Sequence, residues 1–385
     1  MEQGGVLTPG QVLCPSAEYS PHPRVTAAMT RLSVSIVFAA LLANCSSNPA
    51  TSLDAAPEPN PDAAATETIS LVGALEITGL PVHDVWSYTD DATSKQYALL
   101  SAANAGLRVI DISVRSAPVE VGSLSGAELV ATDVKTWRNY AYTIGEGQGV
   151  MGAIVDLANP AAPVVVGNFA NAHNLFVSDG GYLFASAPGL RIYDLNGDPT
   201  QPSEVYSDSD CQGHDVSIVG QRLYDFAGDC GTRIFDIANP ASPQLLGTIV
   251  DESLLHHSGW PSEDGKHLFL CDELASPTQD DIAVWDIADL ASPQRVGSYS
   301  DANAFVHNLY VVGNYAYVSY YRAGFRVFDV SDPAQIRLVD EYDTDPTMSG
   351  PGFGGNFGVY PFSEDGVILA SDEGNGLFLF AFDGQ

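Results

Sequence analysis

Five histidines, His83, His173, His214, His257 and His307, each open a short alternating apolar run, and they recur at one position of a repeating pattern. Imidazole is the commonest side-chain ligand of transition metals, and its proton comes and goes near neutral pH. The same pattern sends Asp272-Glu273, Asp372-Glu373 and Tyr321-Arg322 to neighbouring loops. Imidazoles and carboxylates converging on one mouth can hold Zn²⁺ or a similar divalent transition metal, with an open position for Lewis-acid or redox work. The metal candidates are therefore His83, His173, His214, His257 and His307. The ligand-binding candidates are His257, Glu273, His307, Arg322, Asp372 and Glu373, which lie in or beside the least regular segments. The competing reading gives each histidine a bond within its own repeat unit. It explains the recurrence equally well, because a structural residue returns in every unit whereas a site needs only a few.

The elements that would position these groups are written most clearly from His307 to Pro333, HNLYVVGNYAYVSYYRAGFRVFDVSDP. Three alternating runs are separated by a Gly-Asn turn and a loop, and the third ends in Asp329 and a Pro-containing turn. A fourth run spans residues 336 to 342. Openings recur at His83-Asp84, Thr132-Asp133, His173-Asn174, His214-Asp215, His257, His307-Asn308 and Asn356. Closings fall at Asp111, Asp156, Asp194, Asp236, Asp286 and Asp329, with Phe380-Ala-Phe382 in the seventh place. A period of roughly 40 to 50 residues suits a four-stranded blade, so the expectation is an all-β, seven-bladed β-propeller of antiparallel four-stranded blades over residues 69–385. The last unit lacks a fourth strand and residues 69–77 read as one, so the N-terminal strand is expected to complete the last blade beside residues 377–382. Each unit's first strand then lines a central channel with its opening residue at one mouth, and the closing aspartates fall at the other face as turn formers.

On these residues the chain resembles a known group. The G-L-R-V-x-D-[IV] unit with its Pro turn is similar to the LVIVD repeat. HDVWSYTD at 83–90, HSGWPSEDGKHLFLCDEL at 257–274, HNLYVVGNYAYVSYYRAGFRVFD at 307–329 and GVYPF at 358–362 resemble the choice-of-anchor B bacterial surface propellers. The resemblance implies a fold and a cell-surface location, and no particular reaction.

Residues 1–28 carry no periodicity and read as untranslated or unstructured, with Met29 as the true start. Residues 29–45 read as a lipoprotein signal peptide, since the apolar run Val34 to Ala43 is too short to span a bilayer. Leu42-Ala43-Asn44-Cys45 resembles the lipobox, with Asn44 where that pattern takes a small residue, and this implies a lipidated Cys45. Ordinary secretion, with Cys45 an incidental thiol, is the alternative. Residues 46–68, rich in Ser, Pro, Ala and acids, read as a disordered tether.

A net charge of −33 with 15 Lys+Arg excludes nucleic acid and anionic lipid surfaces as partners. In an oxidising compartment Cys211 and Cys230 are expected to pair, being nearly equidistant from the turn at Val219-Gly220-Gln221-Arg222, and Cys271 reads as a buried thiol. The motifs G-x-S-x-G, G-x-x-x-x-G-K-[ST] and H-E-x-x-H are missing, so no residue is assigned a catalytic role. The function expected is a monomeric binding module for a protein, glycan or small ligand. It would be exported and lipid-anchored in the envelope of a Gram-negative bacterium, at the outer membrane or cell surface, meeting the membrane through its N-terminal lipid alone. A metal-dependent enzyme with its ion at the channel mouth is the alternative.

Overall fold

The alternating runs fold as strands. In a computed structural model, which describes residues 67–126, 129–145 and 149–384, they form seven antiparallel four-stranded sheets arranged as a propeller. In six sheets the strands follow chain order. The seventh combines Asn356–Tyr360, Ile368–Asp372 and Gly376–Phe382 with Ile69–Leu75 as its outer strand, which runs from Ile69 opposite Phe382 to Leu75 opposite Leu377 with a register shift between Leu71 and Gly73. The two ends of the propeller thus satisfy each other's backbone bonds and no blade is left with three strands. The expected signal peptide, the expected lipidation site at Cys45 and all but the last residues of the expected tether lie outside the described residues. Among the described residues no helix is long and apolar enough to cross a membrane.

The inner strands are Val85–Asp90, Asp133–Trp137, Asn174–Val177, Asp215–Val219, Ser258–Pro261, Leu309–Val312 and Asn356–Tyr360. Neighbouring inner strands are stitched by side chains at the second repeat position. Asp133 Oδ2 accepts the Leu175 N–H at 3.0 Å, and Asn174 Oδ1 accepts that of Val216 at 3.0 Å. Each blade also carries a bulge between its third and outer strands, as between Val109 and Ile110 or Val284 and Trp285. A bulge deepens the twist a closed ring needs. At the ends of the third strands, Asp111, Asp156, Asp194, Asp236, Asp286 and Asp329 each accept, through Oδ1, the N–H two residues on at 2.7–2.9 Å. These are Asx turns, the role expected of them.

One glycine position explains how blades abut at the rim. A Cβ on Gly247, in an outer strand, would lie 2.1 Å from the carbonyl oxygen of Leu290, in the Pro turn of the next blade. Gly122, Gly167, Gly297 and Gly73 meet the next turn in the same way. Blade packing there is backbone on backbone, with no room for a side chain. The Cys211–Cys230 disulfide is present. The hairpin pairs Asp215 with Phe226, and extending that register outward brings the two cysteines opposite one another.

Candidate functional site

The opening residues form a tier of rings around the channel. Centroids are 4.4 Å apart for His173 and His214, 4.3 Å for His214 and His257, and 5.2 Å for His257 and His307. Phe357 continues the circle, 4.1 Å from His307 and 5.0 Å from His83. The seventh opening is therefore Phe357, not Asn356. The register slips by one because the first pairing of that blade is irregular between Asn356 and Val359. Asn356 instead turns its amide into its own blade, donating to the carbonyls of Gly358 and Ser371.

Hydrogen bonds fix the imidazole tautomers. His307 Nδ1 lies 2.6 Å from the Phe357 carbonyl oxygen, which can only accept, so Nδ1 carries the proton. His214 Nδ1 faces Asp215 Oδ1 at 2.9 Å and donates to it. His257 Nδ1 lies 3.0 Å from Ser258 Oγ, whose own hydrogen is committed to the His307 carbonyl at 2.8 Å, so Nδ1 is again the donor. Nε2 of His257 points at Glu273 Oε2, 3.3 Å away, while Glu273 Oε1 accepts the Tyr321 hydroxyl. Burial, reinforced by the other imidazoles, holds His257 well below the usual histidine range, and burial also lowers His307. His214, His257 and Glu273 bring three donor atoms within 4.8 Å of one another, as do His173, His214 and Asp215.

Around this tier the carboxylates differ in role. Asp372 is buried and spent on scaffold: Oδ2 accepts the Thr344 hydroxyl at 2.6 Å, and Oδ1 accepts the N–H groups of Gly374 and Asn375. Asp272, also buried, accepts the Leu274 N–H, and burial pushes its carboxyl up to about 6. Glu373 is half-buried and is pushed up to about 7, by burial first and Asp372 second. Arg322 donates through Nε to the Phe353 carbonyl at 2.9 Å, bracing the Gly-rich loop 350–355 against the mouth. Tyr321 holds a φ of 40°, a left-handed conformation uncommon for a non-glycine residue.

Below the imidazoles the channel is filled. Lys135 pairs with Asp84 at 2.7 Å and with Asp133, all three buried, and its ammonium lies 4.5 Å from the centre of the Trp86 ring. Burial acts against the Lys135 charge, but the two carboxylates outweigh it and hold the ammonium above its usual range. Burial raises Asp84, whereas the attraction of Lys135 and hydrogen bonds leave Asp133 lowered. Next to this layer a cavity of about 10 Å³ has room for a single water. Three residues after five of the seven openings the chain supplies Trp86, Phe176, Trp260, Tyr310 and Tyr360, and Phe362 packs among them, 5.4 Å from Trp260 and 5.2 Å from Tyr310. This aromatic floor closes the channel. Beyond it the opposite face has a cavity of about 680 Å³, walled by Thr136, Asp179, Gln221 and Pro240.

The LVIVD repeat family matches residues 91–125, 130–171, 212–251 and 305–344, covering strands of blades that the structure builds alike. The chain carries four LVIVD repeats within a seven-bladed β-propeller. No curated protein sequence matches it. Among solved structures it is similar to a putative 6-phosphogluconolactonase from Bacteroides uniformis ATCC 8492 (14% identity, 66% of this chain and 82% of that one, TM-score 0.53). It is also similar to the computationally designed Ika8 protein (11% identity, 81% and 99%, TM-score 0.56) and to the WD40 repeats of RRP9 (10% identity, 82% and 97%, TM-score 0.56). Identities this low speak for the fold alone.

In this LVIVD propeller the expected site residues meet unequally. His257, His307, His214 and Glu273 converge, and His83 and His173 take their places in the same ring. Arg322 borders the mouth through its loop. The Lys135 cluster was not anticipated, although it is legible in hindsight: five blades place an aromatic where Lys135 stands, and the acids hold the second repeat position, Asp133 two residues before it on its own strand and Asp84 at the head of the neighbouring inner strand. Buried Asp281, pushed up to about 7 by burial, gave no such signal, because only the fold encloses it.

Proposed function

We propose that this LVIVD propeller is a lipid-anchored module of the cell envelope that binds its ligand at the histidine-lined mouth. The observation that carries the reading is the filled channel: with the Lys135 layer and an aromatic floor packed beneath the imidazoles, the channel does not serve as a conduit, and the mouth is the face where imidazole and carboxylate groups gather. Its walls offer imidazole, carboxylate and phenol groups, and the rim is acidic, which favours a neutral or cationic ligand. The anchor rests on Leu42-Ala43-Asn44-Cys45 and the acidic, Pro-rich segment that follows. Propellers serve as both enzymes and binding proteins, so the fold by itself does not carry the reading.

Two measurements test it. Cells fed labelled palmitate incorporate label into the full chain but not into Cys45→Ser; equal labelling of both overturns the anchor. Thermal unfolding of the full chain against panels of amines, oligosaccharides and cationic peptides is expected to find a stabilising ligand. Glu373→Gln weakens its effect and Asp179→Asn, on the opposite face, does not. The reverse sensitivity moves the site to the opposite cavity.

A further inference from the structure

The geometry points to a divalent transition-metal site at the mouth, formed by Nε2 of His214, Nε2 of His257 and a carboxylate oxygen of Glu273. It rests on the mouth being the working face and names what makes that face reactive. The central observation is the facing of two acceptors. His257 gives its Nδ1 proton to Ser258, because Ser258 has already given its own to the His307 carbonyl. The nitrogen left is a lone pair, and it lies 3.3 Å from a carboxylate oxygen in a position only 1% exposed to solvent. Two lone pairs at that distance repel unless a cation lies between them. Ligands bound at about 2.0 to 2.2 Å around a tetrahedral zinc stand about 3.3 to 3.5 Å apart, so this pair already has the spacing of one edge of the tetrahedron.

A shared proton would satisfy His257 and Glu273 as a pair. It would leave His214, whose place the repeat fixes and whose donor atom lies within the same group, with no part in the site. His214 lies with both inside the 4.8 Å group, and its Nδ1 is held by Asp215, which leaves Nε2 for a metal. Each imidazole thus has its far nitrogen fixed by an acceptor, and Glu273 has its second oxygen fixed by Tyr321. These are the supporting bonds that orient metal ligands. Two neutral imidazoles and one carboxylate suit Zn²⁺, Co²⁺ or Fe²⁺ better than Mg²⁺ or Ca²⁺, which take all-oxygen shells. Three protein ligands leave a position open to the mouth, where a water or an oxygen or nitrogen atom of the bound ligand completes the shell.

The test uses the full chain without a polyhistidine tag, stripped with chelator and titrated with Co²⁺. The expected result is the visible absorption of tetrahedral Co²⁺, saturating at one ion per chain and abolished by Zn²⁺. Glu273→Gln, which keeps the shape of the side chain, is expected to weaken binding at least about 10- to 100-fold, and Tyr321→Phe about 10-fold with unchanged stoichiometry. His257→Ala should abolish the signal; if that variant does not fold, Glu273→Gln still decides. An absence of saturable Co²⁺ and Zn²⁺ binding, or unchanged affinity in Glu273→Gln, overturns the site and leaves His257 and Glu273 sharing a proton. A mouth ligand that still stabilises the chelated protein, sensitive to Glu373→Gln, would then leave the binding module standing.

Discussion

Lys135 is the residue on which the lower half of the channel depends. Removing three charges from water is costly, and here the cost is offset by two ion pairs and by the face of Trp86. Each carboxylate alone would be a buried, uncompensated charge. Lys135→Met is therefore expected to lower stability by about 3 to 5 kcal/mol, read as the shift in a urea unfolding curve. Adding Asp84→Asn and Asp133→Asn to that variant should restore most of the loss, since it removes the orphaned charges. The imidazole tier above shows what residue types can and cannot announce. That five histidines share a position was plain from the sequence. Which nitrogen each one presents depends on Ser258, Asp215 and the Phe357 carbonyl, and these partners come from the second repeat position and from the next blade.

At the scale of the element, the blade is defined by its punctuation. Asx turns at the third-strand ends and the alternation of the strands were legible, because both are local: an aspartate bonds two residues on, and a strand has period two. The outer-strand glycines carry a constraint of the other kind. Val121-Gly122, Val166-Gly167, Leu246-Gly247 and Val296-Gly297 repeat visibly, yet their reason is a turn in the following blade. Gly247→Ala would drive a methyl group into the Leu290 carbonyl, and backbone cannot swing aside as a side-chain end can. The expected cost is about 1 to 3 kcal/mol, seen as a lower melting temperature, with Gly197→Ala, which has open space around it and no positive φ, as the control for replacing a glycine without a clash. Phe357 escaped notice for a related reason. Position in the ring is set by a bulged pairing, and the residue there is not a histidine.

For the whole molecule, the net charge of −33 is the dominant long-range fact. Mutual repulsion of that many carboxylates opposes the compact state, and salt relieves it by shortening the reach of each charge from about 30 Å at 0.01 M to about 8 Å at 0.15 M. The melting temperature should rise across that range, and a fall would show that attractive pairs such as Arg295 with Asp251 outweigh the repulsion. The number of blades and the closure of the ring were legible at this scale because a fixed period and a missing fourth strand leave one solution. The facing of Glu273 and His257 was not, since Glu273 sits in a loop whose path only the finished ring determines.

The closure has a mechanical side. Thr68 and Asp383 are bonded through backbone and side chain, Glu67 accepts the Tyr315 hydroxyl at 2.6 Å, and the Ile69 N–H reaches Asp340 at 2.7 Å. A pull on the chain ahead of Glu67 therefore does not fall on a lone strand. It is shared at once between the last blade and its neighbour, and the force must shear those bonds and the strand pairing behind them before the ring can open.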